Sequence, residues 1–193
     1  MEYGLIGERL SHSYSREVHK RLADYSYELK ELDRCEFASF MTERSFKAIN
    51  VTIPYKEAVI PYLYYVDPVA REVGAVNTIV NREGKLYGYN TDVYGMAAMI
   101  TNAKITLEGK KVVILGTGGT SKTAHAVAGQ LGAKEIITVS RKAAEGVITY
   151  SELYLWHTDA EVIINTCEII WDGITTKSKV PSSWEPVISL GSS

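Results

Sequence analysis

The chain has 193 residues, enough for one large domain or two small ones. Its 46% apolar and 23% charged content is that of a packed globular protein, not of a disordered or fibrous chain. A net charge of -2 excludes the basic footprint of a nucleic-acid or anionic-membrane binder, and no apolar run is long enough to span a bilayer.

Residues 3–7 read as a short strand ending at a glycine. The polar loop 8–14 follows and contains Ser11, His12 and Ser13. Ser15 is a candidate N-cap, and Val18, Leu22 and Tyr25 mark an apolar helical stripe behind it. Residues 27–32 alternate as a strand does, and Phe37, Phe40 and Met41 have the spacing of a short helix. Residues 48–52 read as an apolar strand closed by Pro54, with a short helix expected over 56–63. Asp67-Pro68 is a helix start with proline at the first helical position. Residues 75–81 and 85–89 predict two strands joined by the hairpin turn Arg82-Glu83-Gly84. Thr91 or Asp92 caps a helix running through Ile100. The first hundred residues thus alternate strand and helix, an α/β domain of its own.

The polar stretch 101–109 is the best boundary, giving one domain over 1–101 and a second over 102–193. In the second, residues 112–115 are a continuous apolar run, as in a strand buried on both faces. The run ends at Gly116-Thr-Gly-Gly119. From Thr120 the pattern turns helical, with Ala124, Val127, Ala128 and Leu131 on one face and Gly132 just past the end. Residues 136–139 read as the next strand. This is a βαβ unit with its glycines at the first strand-to-helix turn. The N–H groups and positive dipole end of a helix start attract phosphate, and glycines let a pyrophosphate approach the backbone. Ser121 stands where a third glycine would complete G-x-G-x-x-G, so the strand before and the helix after carry the assignment. The plain alternative is a tight turn that holds no ligand. After the second strand, Ser140-Arg141-Lys142 stands where an NAD site would place an acidic residue for the ribose hydroxyls. Cations there attract a 2′-phosphate, which points to NADP; solvated loop charges are the plain alternative, and the glycine turn weighs against them.

Four places in the first domain carry more polar groups than turns need. Ser13 and Ser15 precede a helix, where hydroxyls and N–H groups suit a carboxylate; a loop residue and a cap are the plain alternatives. Lys56 ends the stretch Asn50-Val-Thr-Ile-Pro-Tyr-Lys56 and can give a proton to a carbonyl oxygen if held in place. A solvated lysine is the usual outcome. Asp92, in Asn90-Thr-Asp92, either pairs with Lys56 and orients it or simply caps its helix. Asn77, in Gly74-Ala-Val-Asn-Thr78, offers an amide to hydroxyl groups or merely marks a strand start.

Together these stretches resemble the shikimate dehydrogenases. Ser11-His-Ser-Tyr-Ser15 with His19, the stretch from Asn50 to Lys56, the stretch from Gly74 to Thr78, and Gly88-Tyr-Asn-Thr-Asp92 with Gly95 occur in that family's order. The Gly116 turn falls where the family binds NADP, and Asp159-Ala-Glu-Val-Ile-Ile-Asn-Thr166 is similar to a later strand of its nucleotide domain. The resemblance covers residues 1–166 and implies an N-terminal α/β substrate domain plus a shortened Rossmann-like NADP-binding domain. It implies an enzyme that reduces 3-dehydroshikimate to shikimate with NADPH in the synthesis of aromatic amino-acid precursors. Carried over residue by residue, Ser13 and Ser15 would bind the substrate carboxylate. Thr52, Asn77 and the Lys56–Asp92 pair would contact its ring hydroxyls, with Lys56 the main acid/base residue and Asp92 its partner. Gly116, Gly118 and Gly119 would hold the pyrophosphate, with Thr120 beside them, and Ser140 with Arg141 the adenosine ribose phosphate.

The chain departs from the family at Arg16, where proline is usual, at Lys20, where asparagine is usual, and at Ser140, often asparagine. After Thr166 the family continues with a Thr-Pro-x-Gly-Met-like motif, whereas this chain reads Cys167-Glu-Ile-Ile-Trp171. Later strands, a nicotinamide-side loop, a substrate-contacting tyrosine and glutamine, and a C-terminal helix of the family find no counterpart in the sequence. The expectation is an open sheet edge, an incomplete nicotinamide pocket and impaired activity. Residues 186–190 are a candidate replacement strand, and a homodimer would cover the open edge; Trp171 and Trp184 read as packing anchors. A non-catalytic remnant that binds a shikimate-like ligand, and a quinate-type dehydrogenase, are the other readings. Cys35 and Cys167 read as free thiols of a reducing cytoplasm, and residues 1–9 lack the apolar run of a signal peptide. No metal-like spacing joins the cysteines and histidines. The expected partner is a small-molecule substrate, with no nucleic acid and no membrane.

Overall fold

The computed structural model describes residues 1–167 and 187–189. Its contacts divide the chain into two compact units, one over Met1–Asp92 and one from Val93 onward. The boundary expected from the sequence, between residues 101 and 102, lies one helix further along.

The first unit contains β1 (Tyr3–Gly7), α1 (Ser15–Leu22), β2 (Glu28–Glu31), α2 (Arg34–Glu43), β3 (Ala48–Val51) and α3 (Tyr55–Ala58). Then come β4 (Tyr65–Val66), α4 (Pro68–Val73), β5 (Thr78–Arg82) and β6 (Lys85–Tyr89), and α5 (Asp92–Asn102) begins at its last residue. The six strands form one mixed sheet in the order β2-β1-β3-β5-β6-β4. β1 is parallel to β2 and β3, while β5 is antiparallel to both β3 and β6. The C-terminal ends of β1, β3 and β6 therefore share an edge with the start of β5. Asn50 pairs with Thr78, and Thr78 with Tyr89, which places the polar motifs of the sequence side by side.

Local chemistry explains the element ends. Asp33 and Glu36 form a reciprocal capping box at the start of α2, and Asp67 accepts from the Val69 N–H while Pro68 opens α4. Glu83 and Gly84 both take left-handed backbone angles, φ 53° and 80°, the two-residue hairpin turn that matches strand twist. One core cluster gathers Ile6, Phe37, Phe40, Met41, Ile49, Val51, Tyr55, Val59, Ile79 and Leu86. Burying side chains of this size contributes about 1.5–3 kcal/mol each before chain entropy is subtracted, so packing rather than propensity holds the short α3.

Four expectations need correction. Tyr14, not Ser15, is the N-cap of α1; Ser15 is its first helical residue, and its N–H donates to Ser13 Oγ at 3.2 Å. The Val18–Leu22–Tyr25 stripe is not buried: α1 ends at Leu22, and Val18 and Leu22 are 50% and 72% exposed. Helical spacing gives an apolar face but not something to cover it. The helix expected over 56–63 splits into α3 and a 3-10 turn, Ile60–Tyr62, because Pro61 has no N–H to continue it. The strand expected from residue 75 starts at Thr78; before it, the Val76 N–H donates to the Lys56 carbonyl and the Asn77 N–H to the Tyr89 carbonyl.

The second unit contains β7 (Lys111–Leu115), α6 (Gly119–Gln130), β8 (Glu135–Ser140), β9 (Val147–Thr149), α7 (Tyr150–Trp156), β10 (Val162–Asn165) and β11 (Val187–Ser189). They form a parallel sheet in the order β11-β10-β7-β8-β9. Val112, Val113 and Ile114 of the central β7 are fully buried, as the continuous apolar run requires. β11 falls within the expected 186–190 and covers the free side of β10. Trp171 and Trp184 lie outside the described residues. Sequence reading gave no sign of β4, β9 and α7, which have 2, 3 and 7 residues, too few to show a period. Among the described residues no helix is long and apolar enough to cross a membrane.

Candidate active site

In the first unit the shared strand edge gathers the candidate residues. Lys56 sits on α3, beside an anchor: the buried Tyr55 ring stacks on Phe37 at 4.2 Å, and its hydroxyl donates to the Leu32 carbonyl at 2.7 Å. Lys56 Nζ donates to Asp92 Oδ2 at 2.8 Å, and Asn77 Nδ2 donates to Asp92 Oδ1 at 2.7 Å. Asp92 is the first residue of α5 rather than the residue before it, and Asn90 Oδ1 accepts its N–H at 3.0 Å. Each oxygen of its carboxylate is engaged, one by Lys56 and one by Asn77. The side chains of Lys56 and Asp92 are 29% and 40% exposed, and an ion pair this open contributes only about 0–1 kcal/mol. Stability does not account for three polar groups converging here.

The loop leaving β1 at this same edge carries Ser13 and leads into α1 at Ser15, with Ser13 Oγ donating to Ser15 Oγ at 3.0 Å. Thr52 directly follows β3, and its N–H donates to the Ile6 carbonyl at 2.9 Å. A Cβ on Gly7 would stand 2.6 Å from Thr52 Cγ2, so only glycine lets β1 end this close to Thr52.

In the second unit the Gly116 turn has the form a pyrophosphate needs. Gly116 has φ 111°, and a Cβ on it would lie 2.7 Å from Thr166 Oγ1 and 3.1 Å from Cys167 Sγ. Gly118 is the N-cap of α6 and brings no side chain to its first-turn N–H groups. A Cβ added at Gly118 or Gly119 meets nothing within 4 Å, so open space stands over that turn, with the exposed Thr120 beside it. Leu115 pairs with Val139, which brings Ser140 and the exposed Arg141 to the same sheet edge as the glycines. These residues fit a dinucleotide carrying a 2′-phosphate. Nearby, burial and then the Cys167 thiol push the Tyr150 hydroxyl up to about 12, so it stays protonated. Among the described residues no group of three or more His, Cys, Asp or Glu side chains could hold a metal ion.

The family model described as the shikimate dehydrogenase substrate binding domain matches residues 5–79. The shikimate dehydrogenase (NADP(+)) of Halothermothrix orenii is 42% identical over 163 residues, covering 78% of this chain and 56% of that protein. The crystal structure of shikimate dehydrogenase 1 from Peptoclostridium difficile is 33% identical with a TM-score of 0.84, covering 98% of this chain and 77% of that one. The chain belongs to the shikimate dehydrogenase family. A shikimate 5-dehydrogenase from Listeria monocytogenes, solved in complex with shikimate and NAD, is 28% identical with a TM-score of 0.78, over 94% of this chain and 74% of that one. The chain spans little more than half the length of the curated relatives it matches.

The expected α/β class and Rossmann-like second unit stand. The match to the family's substrate-binding domain spans Ser13, Ser15, Thr52, Lys56 and Asn77 but stops before Asp92, which the fold brings to Lys56. Sequence reading missed Tyr27, Asn50, Thr78 and Thr91, which bond into the Asn77 network. Three of them stand inside the quoted motifs, where their polarity was a usable signal. Tyr27 had none, because a tyrosine in an alternating strand reads as core.

Proposed function

We propose that the chain catalyses the NADP-linked interconversion of 3-dehydroshikimate and shikimate, in the reducing cytoplasm that its free cysteines suit. The observation that carries this reading is the Lys56–Asp92–Asn77 constellation on the sheet edge that also bears the Ser13–Ser15 turn. The names of the curated relatives and the shikimate held by the Listeria protein support the substrate assignment. The two serine hydroxyls take the substrate carboxylate, and Thr52 and Asn77 take ring hydroxyls. Gly116, Gly118, Gly119 and Thr120 hold the pyrophosphate, while Ser140 and Arg141 select the 2′-phosphate of NADP. The bound cofactor supplies the hydride for the ring ketone or accepts it in the reverse direction. Lys56 Nζ gives its proton to the carbonyl oxygen as alkoxide character develops, a downhill transfer because an alkoxide is far more basic than an amine. Asp92 Oδ2 holds one N–H of Lys56 and so aims the others. A positioned donor of this kind is worth about 10²–10⁴ in rate.

The test is oxidation of shikimate by the purified chain with NADP+, followed by nicotinamide absorbance, with NAD+ and quinate as controls. NADP-dependent turnover of shikimate supports the reading. A folded, monodisperse sample that binds shikimate but turns nothing over overturns it in favour of a ligand-binding role. Preferential turnover of quinate overturns the substrate assignment.

A further inference from the structure

We propose that Tyr27 is a positioning residue for Asp92, acting through Asn50, Thr78 and Asn77. The inference rests on Lys56 and Asp92 being the proton-transfer pair, and it names what fixes their geometry. Tyr27 is 7% exposed, and its hydroxyl donates to Asn50 Oδ1 at 2.7 Å. Asn50 Nδ2 faces Thr78 Oγ1 at 3.1 Å and the Asn77 main-chain carbonyl at 3.4 Å. A carbonyl can only accept, so the nitrogen of Asn50 must face it and the oxygen must face Tyr27. Thr78 Oγ1, having accepted from Asn50, gives its single proton to Asn77 Oδ1 at 3.1 Å. Asn77 Oδ1 also accepts the Thr91 N–H at 2.8 Å. With its oxygen so engaged, Asn77 presents its NH2 to Asp92 Oδ1, and Lys56 holds the other carboxylate oxygen. The links from Tyr27 through Asn50 and Thr78 to Asn77 run one way, each donor polarised by the bond behind it, while Thr91 Oγ1 bonds the same Asn77 amide, at 2.9 Å from Nδ2 and 3.1 Å from Oδ1.

His19 closes the far end. Its ring stacks on Tyr27 at 3.7 Å and 10° and meets the Tyr25 hydroxyl through Nδ1. Burial, then the neighbouring Tyr25, raises the Tyr27 hydroxyl above the ordinary tyrosine range, so it remains a donor at every working pH. A tyrosine needed only for packing could satisfy its hydroxyl on any carbonyl. This one is aimed into a polar chain that ends at Asp92.

The experiment follows the Asn77 side-chain NH2 signals of the full chain by proton–nitrogen spectroscopy, alongside shikimate turnover. Tyr27→Phe keeps the stacking on His19 but removes the donor, Thr78→Val removes the next hydroxyl, and Thr78→Ser keeps it. Tyr27→Phe and Thr78→Val are expected to shift the Asn77 signals and speed their exchange with water about three- to tenfold, the factor for losing one neutral hydrogen bond. Thr78→Ser is expected to retain the parent signals. In turnover, Tyr27→Phe lowers kcat by a similar factor with the KM for shikimate nearly unchanged. Unmoved Asn77 signals in the first two variants overturn the proposal, as do moved signals with an unchanged kcat. If Tyr27→Phe fails to fold, the contrast of Thr78→Val with Thr78→Ser decides. A parent chain without turnover counts against the proposed function instead, and the spectra still decide the role of Tyr27.

Discussion

Lys56 Nζ lies 2.8 Å from Asp92 Oδ2, although 36 positions separate the two residues in the chain. The sheet order makes the pair. β5 runs antiparallel between β3 and β6, so those two strands point the same way and the segments after them leave from one edge. Asn77, just before β5, bonds the oxygen of Asp92 that Lys56 does not use.

Lys56→Ala therefore separates chemistry from stability. Removing the proton donor should lower kcat about a hundredfold or more. The same change should move stability by no more than about 1 kcal/mol, because the pair is open to solvent. Steady-state oxidation of shikimate and a thermal melt on the same samples check both halves. An unchanged kcat would remove Lys56 from the mechanism.

How far the sequence revealed this site depends on the range of each interaction. Local signals read well: the Asp67-Pro68 helix start, the Glu83-Gly84 hairpin and the apolar run of β7 each depend on a few neighbouring residues. For Lys56 and Asp92 the residues offered pairing only as one of two alternatives, and the family motifs favoured it, since nothing local to either residue points to the other. Tyr27 was not legible, because its role depends on the register that sets Asn50 opposite Thr78. The exposed face of α1 misled for a related reason: the pattern Val18–Leu22 is amphipathic, but pattern alone does not supply a covering surface.

Arg141 carries the expected choice of cofactor. It is exposed just past β8, beside the glycine turn, where a guanidinium can bond a 2′-phosphate. A hydrogen bond to a charged group is worth about 1.5–3 kcal/mol, so Arg141→Ala should lower kcat/KM for NADP+ by about tenfold or more. The value for NAD+, which lacks that phosphate, should fall much less. Kinetics with both cofactors check this, and an unchanged NADP+/NAD+ ratio would exclude Arg141 from the selection.

His19 should give the fold a pH dependence. Burial lowers its imidazole below the ordinary 6.5, partly opposed by the polar Asn50 side chain. The unfolded chain then takes up the proton more readily than the folded one. This contribution to stability is full above 6.5 and is lost as pH falls from there through the lowered value. Melting temperatures of the parent and of His19→Gln across that window test the sign. The parent should lose stability on acidification more steeply than the variant, and parallel curves would contradict the assignment.

Gly116 and Gly118 should fail in different ways when a methyl is added. Gly116 has φ 111°, and its new Cβ would stand 2.7 Å from Thr166 Oγ1. That hydroxyl cannot turn aside freely, because it donates to the Leu115 carbonyl at 2.7 Å. Gly116→Ala should thus cost about 1–3 kcal/mol of stability through backbone strain, besides weakening cofactor binding. Gly118 has an ordinary extended backbone with φ -78°, and a Cβ there meets open space. Gly118→Ala should leave the denaturation midpoint almost unmoved, while its methyl occupies the place where a pyrophosphate would approach the first turn of α6. Denaturant titration reads the first effect, and calorimetry with NADP+ reads the second. Loss of stability in Gly118→Ala, or retained affinity in it, would mean that the open turn is not the phosphate site.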